Sequence, residues 1–349
     1  MNVGVAARPA DSRPEPTIAA ISRAPGGHVP ELDALRALAI WAVLAAHLLF
    51  TAPATAASSA FLPHWAHTLL LHGWLGVDLF FVLSGFLITG ILLGTKPGGR
   101  SAYFKRFYIR RAARILPLYF AVLLVLFVVS RGQYGAYFAL CALMSADFAN
   151  LFGVAIPDAA GPYWSLGVEE QFYLIWPWLV LWLDRKRLAW AALAVVVVEP
   201  VLRYGARPHD LELVWFRADG LALGAYLATW FAAWDGDRRR ARTLALALVG
   251  VAVAIAAVGI PFGILDEGRA STSLRITQAV LVFGAFLVVA VAYSGSPALA
   301  FMRSRATAVT ALLSYCLYLV HKPLTDAFAW AARATPFGDR LAPEPALFV

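Results

Sequence analysis

Apolar residues run along this chain in blocks long enough to cross a bilayer, with short polar punctuation between them. The blocks fall at 32–51, 73–94, 115–130, 163–183, 187–204, 211–234, 243–264, 274–295 and 308–330. A hydrocarbon core about 30 Å thick needs roughly 20 apolar residues of helix. Backbone amides in lipid must be satisfied within the segment itself, which favours helices. The pattern therefore predicts an all-α polytopic integral membrane protein with about 9–10 transmembrane helices. One further apolar stretch, 134–150, is interrupted by Asp147 and Asn150.

The charges between the blocks orient them. Arg8, Arg13 and Arg23 precede the first block, which puts the N-terminus in the cytoplasm by the positive-inside rule. Loop 52–72 has no Lys or Arg and is expected outside. Loop 95–114 holds Lys96, Arg100, Lys105, Arg106, Arg110, Arg111 and Arg114 and is expected inside. If 134–150 spanned, the basic clusters at 185–187 and 238–242 would fall outside. If it does not span, both fall inside with Arg303 and Arg305, so 134–150 is read as a re-entrant or surface helix.

Residues 1–30 carry Pro9, Pro14, Pro16, Pro25 and Pro30 among Ala, Arg and Ser, and read as a disordered cytoplasmic tail. Residues 31–349 read as one membrane domain. The last residues, Ala346–Val349, follow a polar, Pro-rich stretch and read as the start of a further helix that the chain does not complete.

Composition narrows the class. Of 349 residues, 61% are hydrophobic and 14% charged, against about 25% charged in a soluble domain. The net charge of +8 comes from basic clusters beside apolar spans, not from a soluble basic patch, so no nucleic-acid partner is expected. Cys141 and Cys316 both lie in apolar stretches and offer neither a disulfide framework nor a metal site.

Ionisable residues inside apolar spans are costly and mark function or paired structure. The first span, ELDALRALAIWAVLAAHLLF, carries Arg36 and His47. Eleven residues apart, they fall roughly 20° from the same helix face and about 16 Å apart along the axis. The second span buries Asp78, a partner for a cation or a histidine, and Ser84, which reads equally as a small residue at a helix contact. Arg111 and Arg114 share a face where the third span begins, with Arg110 beside them. They read either as topology signals or as guanidinium forks for phosphate. Glu169 and Glu170 sit among Trp164, Tyr173 and Trp176. Adjacent acids cannot face one way, so one is expected to line a site and the other to make a structural ion pair. Arg217 and Asp219 follow, with Arg217 a natural partner for one of those glutamates. Tyr315, Tyr318 and His321 come late in the last span, and His321 with Asp326 matches a short H-x-x-x-x-D spacing.

These stretches, LDALRA followed by His47, GWLGVDLFFVLSGFLIT, RRAARILP, WSLGVEEQFY, FRADGLALG and SYCLYLVHKP, resemble in content and order the membrane acyltransferase-3 family. The likeness covers about 31–323. It implies a bacterial inner-membrane O-acyltransferase that uses acyl-CoA, acetyl-CoA in the first instance, without a metal. The implied acceptor is a hydroxyl of a cell-surface glycan, a lipid-linked saccharide or a glycosylated natural product. The match makes Arg36 and His47 the family's first-helix pair, and Arg111 and Arg114 its cytoplasmic arginine pair. With these, His47, Arg36, Glu169 and Asp78 are the candidate catalytic residues, and Arg110, Arg111 and Arg114 the candidate donor contacts. Ser84, Trp164, Glu170, Tyr173, Arg217, Tyr315 and His321 are the candidate substrate contacts. The chain departs from the family at Ala34, where Gly is usual, and at Val320 and Lys322, where aromatic residues are usual. It also has no room for the hydrolase-like extra domain of some members.

The bare chemistry is compatible with that reading. Acyl transfer to an alcohol needs a base, and histidine suits it. It needs donors facing the developing oxyanion and a site that keeps water from the thioester. The rival reading is a proton-coupled secondary transporter that uses Asp78, Glu169, Glu170 and His47 as a relay. Such proteins tend to show internal repeats, and none is visible here.

Overall fold

In the computed structural model the described residues are 29–50, 63–95, 99–206, 210–259 and 269–333. Residues 1–28 of the N-terminal tail, residues 52–62 of loop 52–72 and the expected final helix start lie outside them. Among the described residues every regular element is helical. The order is α1 (Pro30–Phe50), α2 (His64–Leu71), α3 (Gly76–Thr95), α4 (Arg100–Val129), α5 (Gly135–Ala142) and α6 (Trp164–Trp182). It continues with α7 (Arg185–Tyr204), α8 (Asp219–Phe231), α9 (Arg238–Gly259), α10 (Arg269–Ala292) and α11 (Arg305–Arg333). Each apolar block of the sequence lands on a helix, as expected for an all-α polytopic membrane protein. Among the described residues, four stretches are long and apolar enough to cross a membrane by length and composition: Trp65–Thr95, Arg100–Val129, Arg238–Gly259 and Thr272–Ala292.

α3 lies at the centre of the bundle. Val77, Phe81 and Ile88 face one buried cluster with α4, α6 and α11. Leu79, Val82, Leu83 and Phe86 face a second with α8, α9 and α10. By contrast α4 and α9 expose Leu124, Val125 and Val128, and Leu246, Val251 and Val253. Helices apolar on their outer faces are what a lipid solvent favours. The tightest seam joins α3 to α8. A Cβ at Gly85 would lie 1.9 Å from the Leu221 carbonyl oxygen, and one at Gly224 would lie 2.0 Å from that of Val82. Without side chains there, two backbones meet, which is how helices gain packing energy where lipid supplies no hydrophobic drive.

The expected loop 52–72 carries α2; two further elements differ from the sequence expectation, and 134–150 keeps to it in not spanning. Residues 100–114 are not loop but the first turns of α4. Their Arg, Lys, Ala and Tyr are compatible with helix, and the helix exposes Lys105, Arg106 and Arg110. Stretch 134–150 forms only the eight-residue α5 and a short 3-10 turn at Ala146–Phe148, with Met144 at a φ of 53° breaking the path between them. Eight residues rise about 12 Å, too little to span. Block 211–234 yields a 3-10 turn at Val214–Phe216 and the 13 residues of α8, because its start is claimed by polar contacts. The Glu199 carboxylate accepts from the amide of Asp219 (2.7 Å), a group left without an intrahelical partner at a helix start, and from that of Ala218 (3.1 Å), which also donates to the Val214 carbonyl (3.0 Å).

The basic loops gather at one end of the bundle. Arg303 pairs with Glu31 at 2.8 Å. Arg238 reaches the Ala292 carbonyl, and Arg185 that of Ala232. At the same end Asp184 caps α7 by accepting from the Arg187 amide at 2.9 Å, and that bond holds its carboxyl below the usual carboxylate range.

Candidate active site

α1, α3, α4, α6 and α11 enclose a cavity of about 210 Å³. Its polar lining is Arg36 from α1, Ser84 from α3, Arg111 and Arg114 from α4, Ser165 and Glu169 from α6, and Ser314, Tyr315 and Tyr318 from α11. Val77, Phe80, Phe81, Leu87 and Ile88 supply much of the apolar wall. The extension of α4 beyond its apolar block is what brings Arg111 and Arg114 to the rim.

Three arginines therefore converge from two helices. Arg36 is held by Asp33, one helical turn earlier, at 2.8 Å. Arg111 lays its guanidinium over the Tyr173 ring, 4.0 Å from the centroid. Its Nε is buried and has no hydrogen-bond partner. Arg114 is exposed at the same opening. Arg110 does not join them; it is exposed, one residue and about 100° round the helix. Tyr315 closes the wall by donating to the Ile115 carbonyl at 2.9 Å.

Inside the cavity a hydrogen-bonded chain links α3 to α6. Tyr173 donates to Glu169 Oε2 at 2.7 Å, and Ser84 Oγ meets the Tyr173 hydroxyl. Glu169 thus lines the site. Glu170, half-buried and outside the lining, makes no salt bridge among the described residues, so the expected ion pair is not formed there.

His47 and His321 meet beyond Tyr318. Their rings lie 4.9 Å apart, and the Tyr318 ring is 5.7 Å from that of His321. His47 Nδ1 contacts the Val43 carbonyl at 2.9 Å, and His321 Nδ1 contacts that of Tyr318 at 2.7 Å. A carbonyl only accepts, so each Nδ1 carries a proton and each Nε2 is the basic nitrogen. His321 Nε2 is buried without a partner. The next residue, Lys322, is tied to Asp158 at 2.6 Å.

Three predicted residues, Arg217, Asp78 and Trp164, lie outside the cavity lining. Arg217 pairs not with a glutamate but with Asp78, at 2.9 Å, both side chains almost fully buried. Trp164 and Trp74 lie against its guanidinium, 5.0 and 5.8 Å from their ring centroids. Asp78 and Trp164 are thereby structural neighbours of the site and do not line it. A second buried pair, Arg203 with Asp219 at 2.5 Å, lies nearby. Sequence reasoning missed Ser165 and the network of Glu199 and Arg203. The signal for the latter was present: Glu199 and Arg203 are ionisable residues within an apolar block.

The arrangement offers cations at one mouth, a hydroxyl and carboxylate in the middle, and basic imidazoles at the far side. Among the described residues no group of three or more His, Cys, Asp or Glu could hold a metal ion.

Comparison with known proteins gives the same class. A family whose description reads acyltransferase domain matches residues 29–337. The peptidoglycan O-acetyltransferase OatA of Listeria monocytogenes is 36% identical over 181 residues, 46% of this chain and 26% of the relative. YrhL of Bacillus subtilis, which carries the same activity in its name, is 31% identical over 190 residues, 49% of this chain and 27% of the relative. The matched region spans about a quarter of the length of these relatives. No solved structure matches.

Proposed function

The chain belongs to the acyltransferase-3 family, and from that premise we propose that it is an integral-membrane O-acyltransferase of the bacterial inner membrane. It moves an acyl group, acetyl in the first instance, from acyl-CoA to a hydroxyl of a cell-surface glycan, a lipid-linked saccharide or a glycosylated natural product. The names of the relatives support acetyl as the group and a glycan as the acceptor.

The observation that carries this reading is the unspent Nε–H of Arg111 in a cavity shared with Arg36 and Arg114. A buried donor without a partner is expensive. A guanidinium cluster suits the phosphates of a coenzyme. With the phosphates at the arginine mouth, the acyl chain enters the apolar wall of Phe80, Phe81, Leu87 and Ile88. An apolar wall disfavours water beside the thioester, which protects it. The acceptor approaches from the histidine side. Its hydroxyl oxygen attacks the acyl carbonyl while Nε2 of His47 takes the proton, with His321 beside it. Arg36 and Arg111, at the opposite mouth, hold the donor's phosphates together with Arg114.

The test is donor dependence. Membranes holding the full chain are incubated with ¹⁴C-acetyl-CoA, and the glycan, lipid and small-molecule fractions are analysed by mass spectrometry. Acetylated product that requires the chain supports the reading. Absence of any chain-dependent acetylation overturns it and leaves the transporter alternative to be tested by uptake.

A further inference from the structure

We propose that Ser84 is the nucleophile that first receives the acyl group, as a serine ester inside the bundle, before the acceptor arrives. This rests on the acyl-CoA reading above and concerns how the same cavity uses its donor.

The basis is the direction of one hydrogen-bonded chain. Tyr173 has a single hydroxyl proton and gives it to Glu169 Oε2 at 2.7 Å. With Glu169 ionised and therefore only accepting, the contact between Ser84 Oγ and the Tyr173 hydroxyl runs the other way, with Ser84 donating. A proton leaving Ser84 has a path through one phenol to a carboxylate. That is the activated-nucleophile pattern, with an adjacent base acting through a bridging hydroxyl. The Arg111 guanidinium over the Tyr173 ring favours negative charge on that ring during the transfer.

The cavity contains its own comparison. Ser165 also pairs with a tyrosine, Tyr318, at 2.6 Å. There Tyr318 donates to the Pro162 carbonyl at 2.9 Å, and Ser165 reaches the same carbonyl at 3.1 Å. A peptide carbonyl is not a base at neutral pH, so this chain orients its hydroxyl and cannot take its proton. Ser84 and Ser165 both line the cavity and each pairs with a tyrosine, and only the chain from Ser84 ends on a carboxylate. Ser84 is also held rigidly, because its neighbour Gly85 is pressed on the α8 backbone.

The steps balance. Ser84 Oγ bonds to the thioester carbonyl carbon as its proton passes to Tyr173 and the Tyr173 proton to Glu169. The C–S bond breaks and the coenzyme leaves as thiolate. The acceptor hydroxyl attacks the serine ester, its proton goes to Nε2 of His47, and the C–O bond to Ser84 breaks. The Ser84 alkoxide regains the proton from Glu169 through Tyr173, and His47 releases its own to solvent.

The experiment uses the purified full chain with ¹⁴C-acetyl-CoA and no acceptor, quenched in acid and mapped by peptide mass spectrometry. The expected result is acetyl on the peptide holding Ser84, absent in Ser84→Ala. In Tyr173→Phe it should form on the order of 10²-fold more slowly. Ser84→Cys keeps the label as a thioester released by neutral hydroxylamine, whereas the serine ester resists it, so the site is read even if the Ala variant misfolds. Wild-type protein without label at Ser84, or Ser84→Ala with wild-type transfer in the membrane assay, overturns the proposal. If transfer persists in that assay without Ser84 label, the covalent step alone fails. If neither transfer nor label appears, the functional reading fails with it.

Discussion

The ring of His321 sits 4.9 Å from the ring of His47, and each is pinned through Nδ1 to a backbone carbonyl. Two helices far apart in sequence thus present two basic Nε2 atoms to one place. His47→Ala should abolish acyl transfer, by a factor on the order of 10² to 10⁴ as for loss of a general base, while the protein still inserts and folds. His321→Ala should lower turnover without changing the donor KM, since it lies at the far side from the arginines. Initial-rate measurements on monodisperse detergent-purified variants check both. Wild-type turnover from folded His47→Ala would refute the assignment.

Arg111→Ala and Arg114→Ala should each raise the KM for acetyl-CoA, because each removes a charge-assisted phosphate contact. Arg111→Ala should do more, since Arg111 is the more buried of the two and also backs Tyr173. Lysine at either position should restore part of the affinity, as a point charge lacks the planar fork. Unchanged donor KM in both Ala variants would reduce these residues to topology signals. Arg110→Ala, on an exposed face, is the control expected to leave KM unaltered.

The pair of Arg217 and Asp78 is a structural device, and a double substitution separates that from catalysis. Arg217→Met leaves a buried carboxylate uncompensated, which costs about 3–5 kcal/mol for such pairs. Asp78→Asn alone leaves a buried guanidinium short of its counter-charge. Combining Arg217→Met with Asp78→Leu should recover much of the lost thermal stability, since apolar replacement of a whole buried pair is often neutral. Thermal unfolding in detergent measures this. Additive losses in the double variant would argue that the two do not act as a pair.

Gly85 tests the α3–α8 seam. A methyl group at this position would meet backbone and not a yielding side chain, at 1.9 Å from the Leu221 oxygen. Gly85→Ala must push the helices apart, and overpacking of this kind costs about 1–3 kcal/mol or more. The expected outcome is a lower unfolding temperature together with reduced activity, because Ser84 moves with its neighbour. An unfolding temperature equal to wild type would show that the seam yields freely.

Much of this was legible in sequence because the bilayer imposes so few solutions. The apolar blocks found the helices, and ionisable residues within them pointed to Arg36, Ser84's helix, Glu169 and the histidines. What sequence could not supply was partner choice. Arg217 had acids available at 78, 169, 170 and 219, and only the packing of α3 against α8 selects Asp78. The extent of α4 was also hidden, because hydropathy ends at the first arginines while the helix continues through them. The hydrogen-bond direction at Ser84 needed coordinates, since it depends on which acceptor Tyr173 has already used.

The sidedness of the bundle can be tested at two exposed positions. Arg303 on Glu31, Arg238 on Ala292 and Arg185 on Ala232 place the basic loops at one end. The segment between α4 and α6, with α5 too short to cross, belongs to the other. By the positive-inside rule the first end is cytoplasmic. Arg239→Cys sits in an exposed stretch at that end, and Phe152→Cys, at a side chain 64% exposed, lies at the opposite one. Of the native cysteines, Cys141 is buried and Cys316 partly so, and a variant with both changed to Ala supplies the background. In intact cells a membrane-impermeant maleimide should label Phe152→Cys and leave Arg239→Cys unlabelled until the membrane is opened. Labelling of Arg239→Cys in intact cells would invert the bundle. The arginine mouth of the cavity would then face away from the cytoplasmic pool of acyl-CoA, and the donor assignment would fall with the topology.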